Sequence, residues 1–162
     1  NPSAYLNPNR TVENHFKDLF RAHGESYEIA RVIDMLKLVH LNDGERILQS
    51  YPFQLSGGMQ QRLAIALSLI LKPSIVFADE PTSALDMLVQ ASVLDLMKEV
   101  TQALGATVII VTHNIKSAAR IANSIGVMNK GQLVEVGSTE EVMACPKDEY
   151  TRVLLDSVTK VV

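Results

Sequence analysis

The chain has 162 residues, of which 47% are hydrophobic, enough for one domain with an apolar core. Its net charge of −3 argues against a general nucleic-acid binder, because such proteins are usually basic. Cys145 is the only cysteine, which excludes an intramolecular disulfide and a cysteine-based metal cluster. The longest largely apolar run, residues 63–71, is shorter than the ~20 residues of a membrane-spanning helix.

The first part of the chain is predicted to be loop and helix. Residues 1–10 contain two Asn-Pro pairs and are predicted to form a loop. Apolar residues repeat at helical spacing across residues 26–38, which predicts a helix with Ser26 as its cap. The run Asn42-Asp43-Gly44 predicts a turn.

A second helix is predicted over residues 59–71, and Pro73 ends it. Tyr51-Pro52 predicts an extended approach to Ser56, just before this helix.

The second half alternates strands and helices. Residues 74–78 and 106–112 are short β-type runs on either side of an amphipathic helix at 87–104, which Gly105 ends. A strand–helix–strand unit of this kind predicts two parallel strands joined by a right-handed crossover. The remaining predicted elements are a short helix after His113, strands at 124–128 and 132–136, a helix opened by a Ser138–Glu141 capping box, and a helix at 148–158.

A Ser56-Gly57-Gly58 run stands at the start of the helix at 59–71. A helix start presents unpaired N–H groups, glycines let an anion approach the backbone, and the serine adds a hydroxyl donor. The alternative is a serine cap with a flexible lead-in. The polar residues Gln60-Gln61-Arg62, where a core helix would be apolar, favour the anion site.

Two acids, Asp79 and Glu80, end the apolar strand at 74–78. They are expected at the carboxyl edge of a sheet, where α/β proteins bind ligands. Successive strand side chains point opposite ways, so one acid can face a metal–phosphate cluster while the other addresses a water. The alternative, an acidic loop start, is disfavoured by the run Thr82-Ser83-Ala84-Leu85-Asp86 directly behind them.

His113 follows the second strand of the pair. If the two strands are neighbours, its imidazole shares a sheet edge with Glu80 and suits a hydrogen bond to a phosphate or water. The other histidines, His15, His23 and His40, are interpreted as structural.

These motifs together resemble the ATP-binding cassette (ABC) transporter ATPases. Residues 55–62 resemble the family's signature motif, 75–80 its Walker B strand, 83–86 its D-loop, and Thr112-His113 its switch histidine. The motifs stand in the family's order. The flanking runs 1–8 and 150–158 are similar to the importers of oligopeptides, dipeptides and nickel.

The resemblance implies an α/β fold of the P-loop NTPase type, in part. A helical signature subdomain would be followed by a mostly parallel sheet with flanking helices. The implied segments are a post-Q-loop and signature part at 1–72, a Walker B, D-loop and switch-histidine part at 73–137, and a C-terminal helical part at 138–162.

ATP and Mg²⁺ are the cofactors that the resemblance implies. Asp79 would help hold Mg²⁺, Glu80 would polarise the hydrolytic water, and His113 would contact the γ-phosphate.

The cofactor-binding residues would serve ATP held by a partner subunit. Ser56, Gly57 and Gly58, with Gln60 in the same set, would bind its γ-phosphate, and Asp86 would couple the two sites of a dimer.

The implied function is ATP hydrolysis that drives import of peptides or nickel chelates. The implied partners are the transmembrane subunits of a permease, a second ATPase subunit that is identical or different, and indirectly a solute-binding protein, with no nucleic acid. The implied location is the cytoplasmic face of the cell membrane. The alternatives are a non-transport ABC ATPase of DNA repair or translation, and a binding module that only lends its signature motif to a partner.

No Gly-x-x-x-x-Gly-Lys-[Ser/Thr] phosphate loop occurs in the 162 residues. In the family pattern this loop, the adenine-stacking aromatic residue and the Q-loop glutamine all precede Asn1. We therefore expect this chain to be a truncated piece of a longer ATPase that is inactive by itself. We also expect the truncation to leave an apolar edge of its sheet uncovered.

Overall fold

The computed structural model describes residues 6–82 and 86–159 and shows an α/β fold. None of the described helices is long and apolar enough to cross a membrane. In chain order the elements are α1 Val12–Ala22, α2 Ile29–Leu38, α3 Gly44–Gln49, a 3₁₀ turn Pro52–Gln54, α4 Gly57–Leu69, β1 Ile75–Asp79, α5 Met87–Leu104, β2 Thr107–Val111, α6 Ile115–Ile121, β3 Ser124–Asn129, β4 Gln132–Ser138, α7 Thr139–Ala144 and α8 Glu149–Thr159.

Two compact units divide the chain, Asn1–Val111 and Thr112–Val162. The first contains α1 to α5 with the β1–β2 pair, and the second contains α6 to α8 with the β3–β4 pair.

An apolar core joins the helices of the first unit to one face of its sheet. The core forms because α1, α2 and α5 carry apolar residues at helical spacing on one side. The helix α4 buries residues on several of its sides. Arg31 connects α2 to the end of α4, where its Nη2 donates to the Ile70 carbonyl at 2.6 Å. The largest fully buried side chains are Phe16, Phe20, Leu36, Ile47, Leu63, Leu69 and Ile70.

The β1–β2 pair is parallel, with a register from Ile75 opposite Thr107 to Asp79 opposite Val111. This confirms both predicted strands and their direction. One face, formed by Val76, Ala78, Val108 and Ile110, packs against the core. The opposite face carries exposed apolar side chains, and Phe77 at its centre is 75% exposed. One face of this sheet is therefore an exposed apolar surface, whereas the uncovered sheet edge expected from the sequence stays a prediction.

The second unit is built on an antiparallel hairpin of β3 and β4. Its small core contains Ile125, Val127 and Val142. The Ser138–Glu141 capping box predicted for α7 is confirmed, since each residue's side chain accepts the other's backbone N–H. Backbone N–H groups of Lys147 and Asp148 donate to the Glu135 carboxylate at 2.8 and 3.1 Å, which holds the lead-in to α8 against β4.

Two local predictions in the first unit were wrong. Ser26 does not cap α2, which begins at Ile29 with Glu28 in the N-cap position. The turn predicted at 42–44 gives way to the helix α3, which begins at Gly44. A Cβ at this glycine would lie 2.7 Å from Ile33 Cδ1, so the missing side chain lets α3 pack closely on α2.

The exposed sheet face and the buried core predict stability effects of different size for two phenylalanine substitutions. Phe77→Thr should leave the free energy of unfolding within about 0.5 kcal/mol and reduce aggregation, because an exposed apolar group is replaced by a polar β-former. Phe16→Ala should cost about 3–5 kcal/mol, because it empties a fully buried site. Urea unfolding and light scattering measure both. A large destabilisation by Phe77→Thr would show that this face is packed.

Acid should weaken the second unit through two glutamates. The Lys147 N–H lowers the pKa of Glu135, and the Ser138 N–H lowers the pKa of Glu141, from an ordinary 4.5. The stability they contribute is therefore complete above pH 4.5 and is lost as the pH falls through the lower folded values. Unfolding monitored from pH 6 to 3 should show less acid dependence in Glu135→Gln and Glu141→Gln than in Glu140→Gln, the matched control.

Candidate functional site

The start of α4 is an accessible helix N-terminus. Ser56 is its N-cap, with extended backbone angles, and its Oγ accepts the Met59 N–H at 3.3 Å. Ser56 and Gly57 are exposed, and a Cβ added at Gly57 would meet no atom within 4 Å. At Gly58 it would approach Val89 at an ordinary 3.6 Å. The glycine-bearing turn therefore faces open space, as an anion site requires.

Gln60 holds the turn that leads into this helix. Its Nε2 donates to the carbonyls of Pro52 and Leu55 at 2.9 and 3.1 Å. Pro52 and Leu55 are both buried, and Tyr51 approaches in the predicted extended conformation. The position of Ser56 is thus fixed from its N-terminal side by a side chain of the helix that it caps.

Asp79 and Glu80 lie where the two parallel strands end side by side. Asp79 is the last residue of β1 and pairs with Val111, the last residue of β2. The Glu80 N–H donates to the Val111 carbonyl at 2.9 Å. Glu80 has a φ of 45°, in the left-handed region that non-glycine residues rarely adopt. Such strained backbone is concentrated at functional sites.

A hydrogen bond from a buried side chain joins the helix α4 to the loop of the acid pair. Gln61, only 8% exposed, donates from Nε2 to the carbonyl of Pro81 at 2.6 Å. Pro81 directly follows Glu80, so the Ser-Gly-Gly turn and the acid pair are parts of one connected structure. From the sequence, Gln61 was interpreted as one of the polar residues that favour an anion site, and its contact with this loop was not predicted. Its partner lies 20 residues away, beyond the reach of a local pattern.

Asp86 and His113 lie at the starts of helices. Asp86 is the N-cap of α5, and its Oδ1 accepts the Val89 N–H at 3.0 Å. The rest of the predicted D-loop, 83–85, lies outside the described residues. His113 stands two residues beyond the end of β2 and belongs to the second unit. The edge that it was expected to share with Glu80 stays a prediction.

The other three histidines contact protein groups, two of them one helical turn away and one of them on α5. Nδ1 of His15 lies 2.8 Å from the Thr11 carbonyl, and Nδ1 of His23 lies 2.9 Å from the Leu19 carbonyl. His40 Nε2 lies 3.6 Å from a carboxylate oxygen of Glu99. These contacts agree with the structural roles expected for them.

An open cavity of about 390 Å³ lies beside the start of α4. The guanidinium of Arg62 reaches across it, donating to the His40 carbonyl at 3.4 Å and to the Ser92 hydroxyl at 3.3 Å. A positive charge thus stands next to the helix start, which favours an anionic ligand there. The lining residues are His40, Leu41, Ser56, Gly58, Met59, Arg62, Val89, Ser92 and Val93.

The donor set suits a magnesium ion carried by a nucleotide. Within residues 6–82 and 86–159, no three histidine, cysteine or acidic side chains are grouped to hold a metal. Mg²⁺ is commonly bound through one or two carboxylates plus water and substrate phosphates. Asp79, exposed at the end of β1, provides such a carboxylate.

Comparison with protein families identifies a match to the ABC transporter model over residues 3–83. The matched part contains the signature turn, β1 and the acid pair.

Curated relatives align over nearly the whole chain. The dipeptide transport ATP-binding protein DppD of Caldanaerobacter subterraneus subsp. tengcongensis is 46% identical over 96% of this chain and 49% of its own length. The oligopeptide transport ATP-binding protein OppD of Lactococcus lactis subsp. cremoris is 39% identical over 97% and 47%. The glutathione import ATP-binding protein GsiA of Salmonella typhimurium is 41% identical over 97% and 26%. The chain spans about half the length of the first two.

The helix start predicts different stability effects for its serine and its first glycine. Ser56→Ala should lower the free energy of unfolding by about 1 kcal/mol, because the Met59 N–H loses its cap. Gly57→Ala should not lower it, because the added methyl meets no neighbour and alanine is the better helix former. Urea unfolding of both variants tests this. Equal losses would show that the turn is packed rather than open.

Proposed function

The chain belongs to the ABC transporter family, and from this premise we propose that it forms part of an ATPase that drives import of peptides through a membrane permease. The observation that carries the proposal is the hydrogen bond from Gln61 to the Pro81 carbonyl. It connects an accessible, glycine-bearing helix start with a pair of acids at the carboxyl ends of two parallel strands. One of these features suits phosphate and the other suits Mg²⁺ and water.

We propose that the start of α4 binds the γ-phosphate of ATP held by a second ATPase subunit. Backbone N–H groups of Gly57 and Gly58 and the Ser56 hydroxyl provide the donors, and the positive end of the helix dipole favours the anion. Gln60 contributes by holding the preceding turn. Asp86, at the start of α5, couples this site to the other site of the dimer.

We propose that the acid pair, Asp79 and Glu80, takes part in ATP hydrolysis. Asp79 contributes to Mg²⁺ binding, and bound Mg²⁺ neutralises charge on the phosphates. Glu80 polarises the attacking water as a general base, and His113 contacts the γ-phosphate. Asp79 ends β1, whereas Glu80 lies beyond the strand with a left-handed backbone, so we assign these two acids separate roles.

The relatives' names favour peptides as the transported solute. They are named for dipeptide transport, oligopeptide transport and glutathione import. Nickel chelates, the other expectation from the sequence, have no support among these names. The proposed partners are permease subunits, a second ATPase subunit and, indirectly, a solute-binding protein, with the assembly at the cytoplasmic face of the membrane. We also propose that the three segments expected from the sequence are parts of this ATPase. They are the signature part at 1–72, the Walker B, D-loop and switch-histidine part at 73–137, and the C-terminal helical part at 138–162.

The proposal predicts the behaviour of Glu80→Gln in the natural full-length polypeptide assembled with its permease. ATP turnover should fall by a factor of roughly 10² to 10⁴, because the general base is lost, while ATP still binds. Glu45→Gln, on the exposed surface of α3, should retain turnover. Phosphate release and equilibrium ATP binding measure the two properties.

The 162-residue chain alone carries no phosphate-loop motif and is expected to show no turnover above background. Turnover by the isolated chain that disappears in Glu80→Gln would contradict this expectation. Full turnover by Glu80→Gln in the assembled transporter would contradict the role of Glu80 itself.

A further inference from the structure

The loop after β1 is anchored by a buried side chain of α4. Gln61 is 8% exposed, and its Nε2 donates to the Pro81 carbonyl at 2.6 Å. Removing the donor would leave a partly buried carbonyl without this partner, which is unfavourable. Gln61 is therefore placed to control the conformation of the residue before Pro81, which is Glu80.

Glu80 needs such control because its backbone is strained. A residue before proline normally adopts an extended conformation with negative φ, whereas Glu80 has a φ of 45°. Conformations of this kind persist only where the surrounding structure fixes them. The Val111 carbonyl fixes the N–H of Glu80, and Gln61 fixes the carbonyl of the next residue. These two bonds act on opposite sides of the Glu80 Cα.

We propose that Gln61 is a positioning residue for Glu80, a role that rests on the proposed function. It does not touch the nucleotide or the water. It holds the loop so that the Glu80 carboxylate stands at the distance and angle that water activation requires. A displacement of about 1 Å in such a group lowers turnover by as much as 100-fold.

Thr101, elsewhere in the first unit, provides a control that separates positioning of Glu80 from a purely structural role of Gln61. Thr101 on α5 is 5% exposed, and its Oγ1 donates to the Met97 carbonyl at 2.6 Å. This bond is as short as that of Gln61 and is more deeply buried, but its acceptor is one turn back in the same helix and not in the loop of the acid pair. Thr101→Val therefore removes a comparable hydrogen bond without acting on Glu80.

The test uses the natural full-length ATPase in its transporter. Gln61→Met keeps the shape of the side chain and removes the donor. We expect its kcat to fall roughly 10- to 100-fold with KM for ATP unchanged. Thr101→Val should keep kcat even where its melting temperature falls as much. Steady-state ATP hydrolysis and thermal unfolding of both variants provide the comparison.

Gln61→Glu adds a pH profile that a structural role would not produce. A carboxylate has no proton to donate to the Pro81 carbonyl, whereas the neutral acid has one. The kcat of this variant relative to wild type should therefore rise as the pH is lowered, and the same ratio for Gln61→Met should stay flat.

The proposal is overturned if Gln61→Met keeps the kcat of wild type, if Thr101→Val loses as much kcat, if the whole loss lies in KM, or if the two pH profiles coincide. Absence of ATP hydrolysis in the wild-type transporter would instead reject the proposed function, and this inference with it.

Discussion

The hydrogen bond between Gln61 and the Pro81 carbonyl is the constraint that makes a site out of separate elements. Apolar packing brings α4 against the sheet, but the hydrophobic effect is non-directional and leaves rotation and sliding of the helix poorly fixed. A buried amide-to-carbonyl bond depends on distance and angle, and in a low-dielectric interior its loss is costly. It therefore sets which face of α4 meets the loop of Glu80, and with it where the Ser56 turn emerges.

The parallel pair β1–β2 places the acids and also exposes an apolar face. Parallel sheets are normally covered on both faces, because their strands are apolar on both sides. Here Val76 and Val108 pack against the core, while Phe77 and Ile109 on the other side remain exposed. Because side chains alternate along each strand, one row points into the core and the other row is exposed on the opposite face. The hydrophobic effect favours burial of that face against another apolar surface.

Sequence alone predicted the features with local causes. The bounds of α5, its end at Gly105 in the left-handed conformation and the capping box at Ser138 each depend on residues within a few positions. The helix α3 was missed because Gly44 begins it through packing on Ile33 of another helix, which no local pattern shows. The places of Ser56 at a helix start and of Asp79 at a strand end were expected from the motifs. The hydrogen bond of Gln61 was not, because its partner is brought near only by folding.

The proposed phosphate-binding turn and the loop of the acid pair are connected through one rigid helix. Ser56 and Gln61 are five residues apart on a continuous helix, so the anion-facing turn and the loop anchor are separated by roughly 7 Å of rigid helix. A force on the helix start reaches Pro81 without passing through a flexible joint. Glu80 beyond it has a strained backbone, and its N–H donates to the Val111 carbonyl. Strained backbone persists only where the surrounding structure fixes it, so we expect the position of α4 and the geometry of Glu80 to depend on each other.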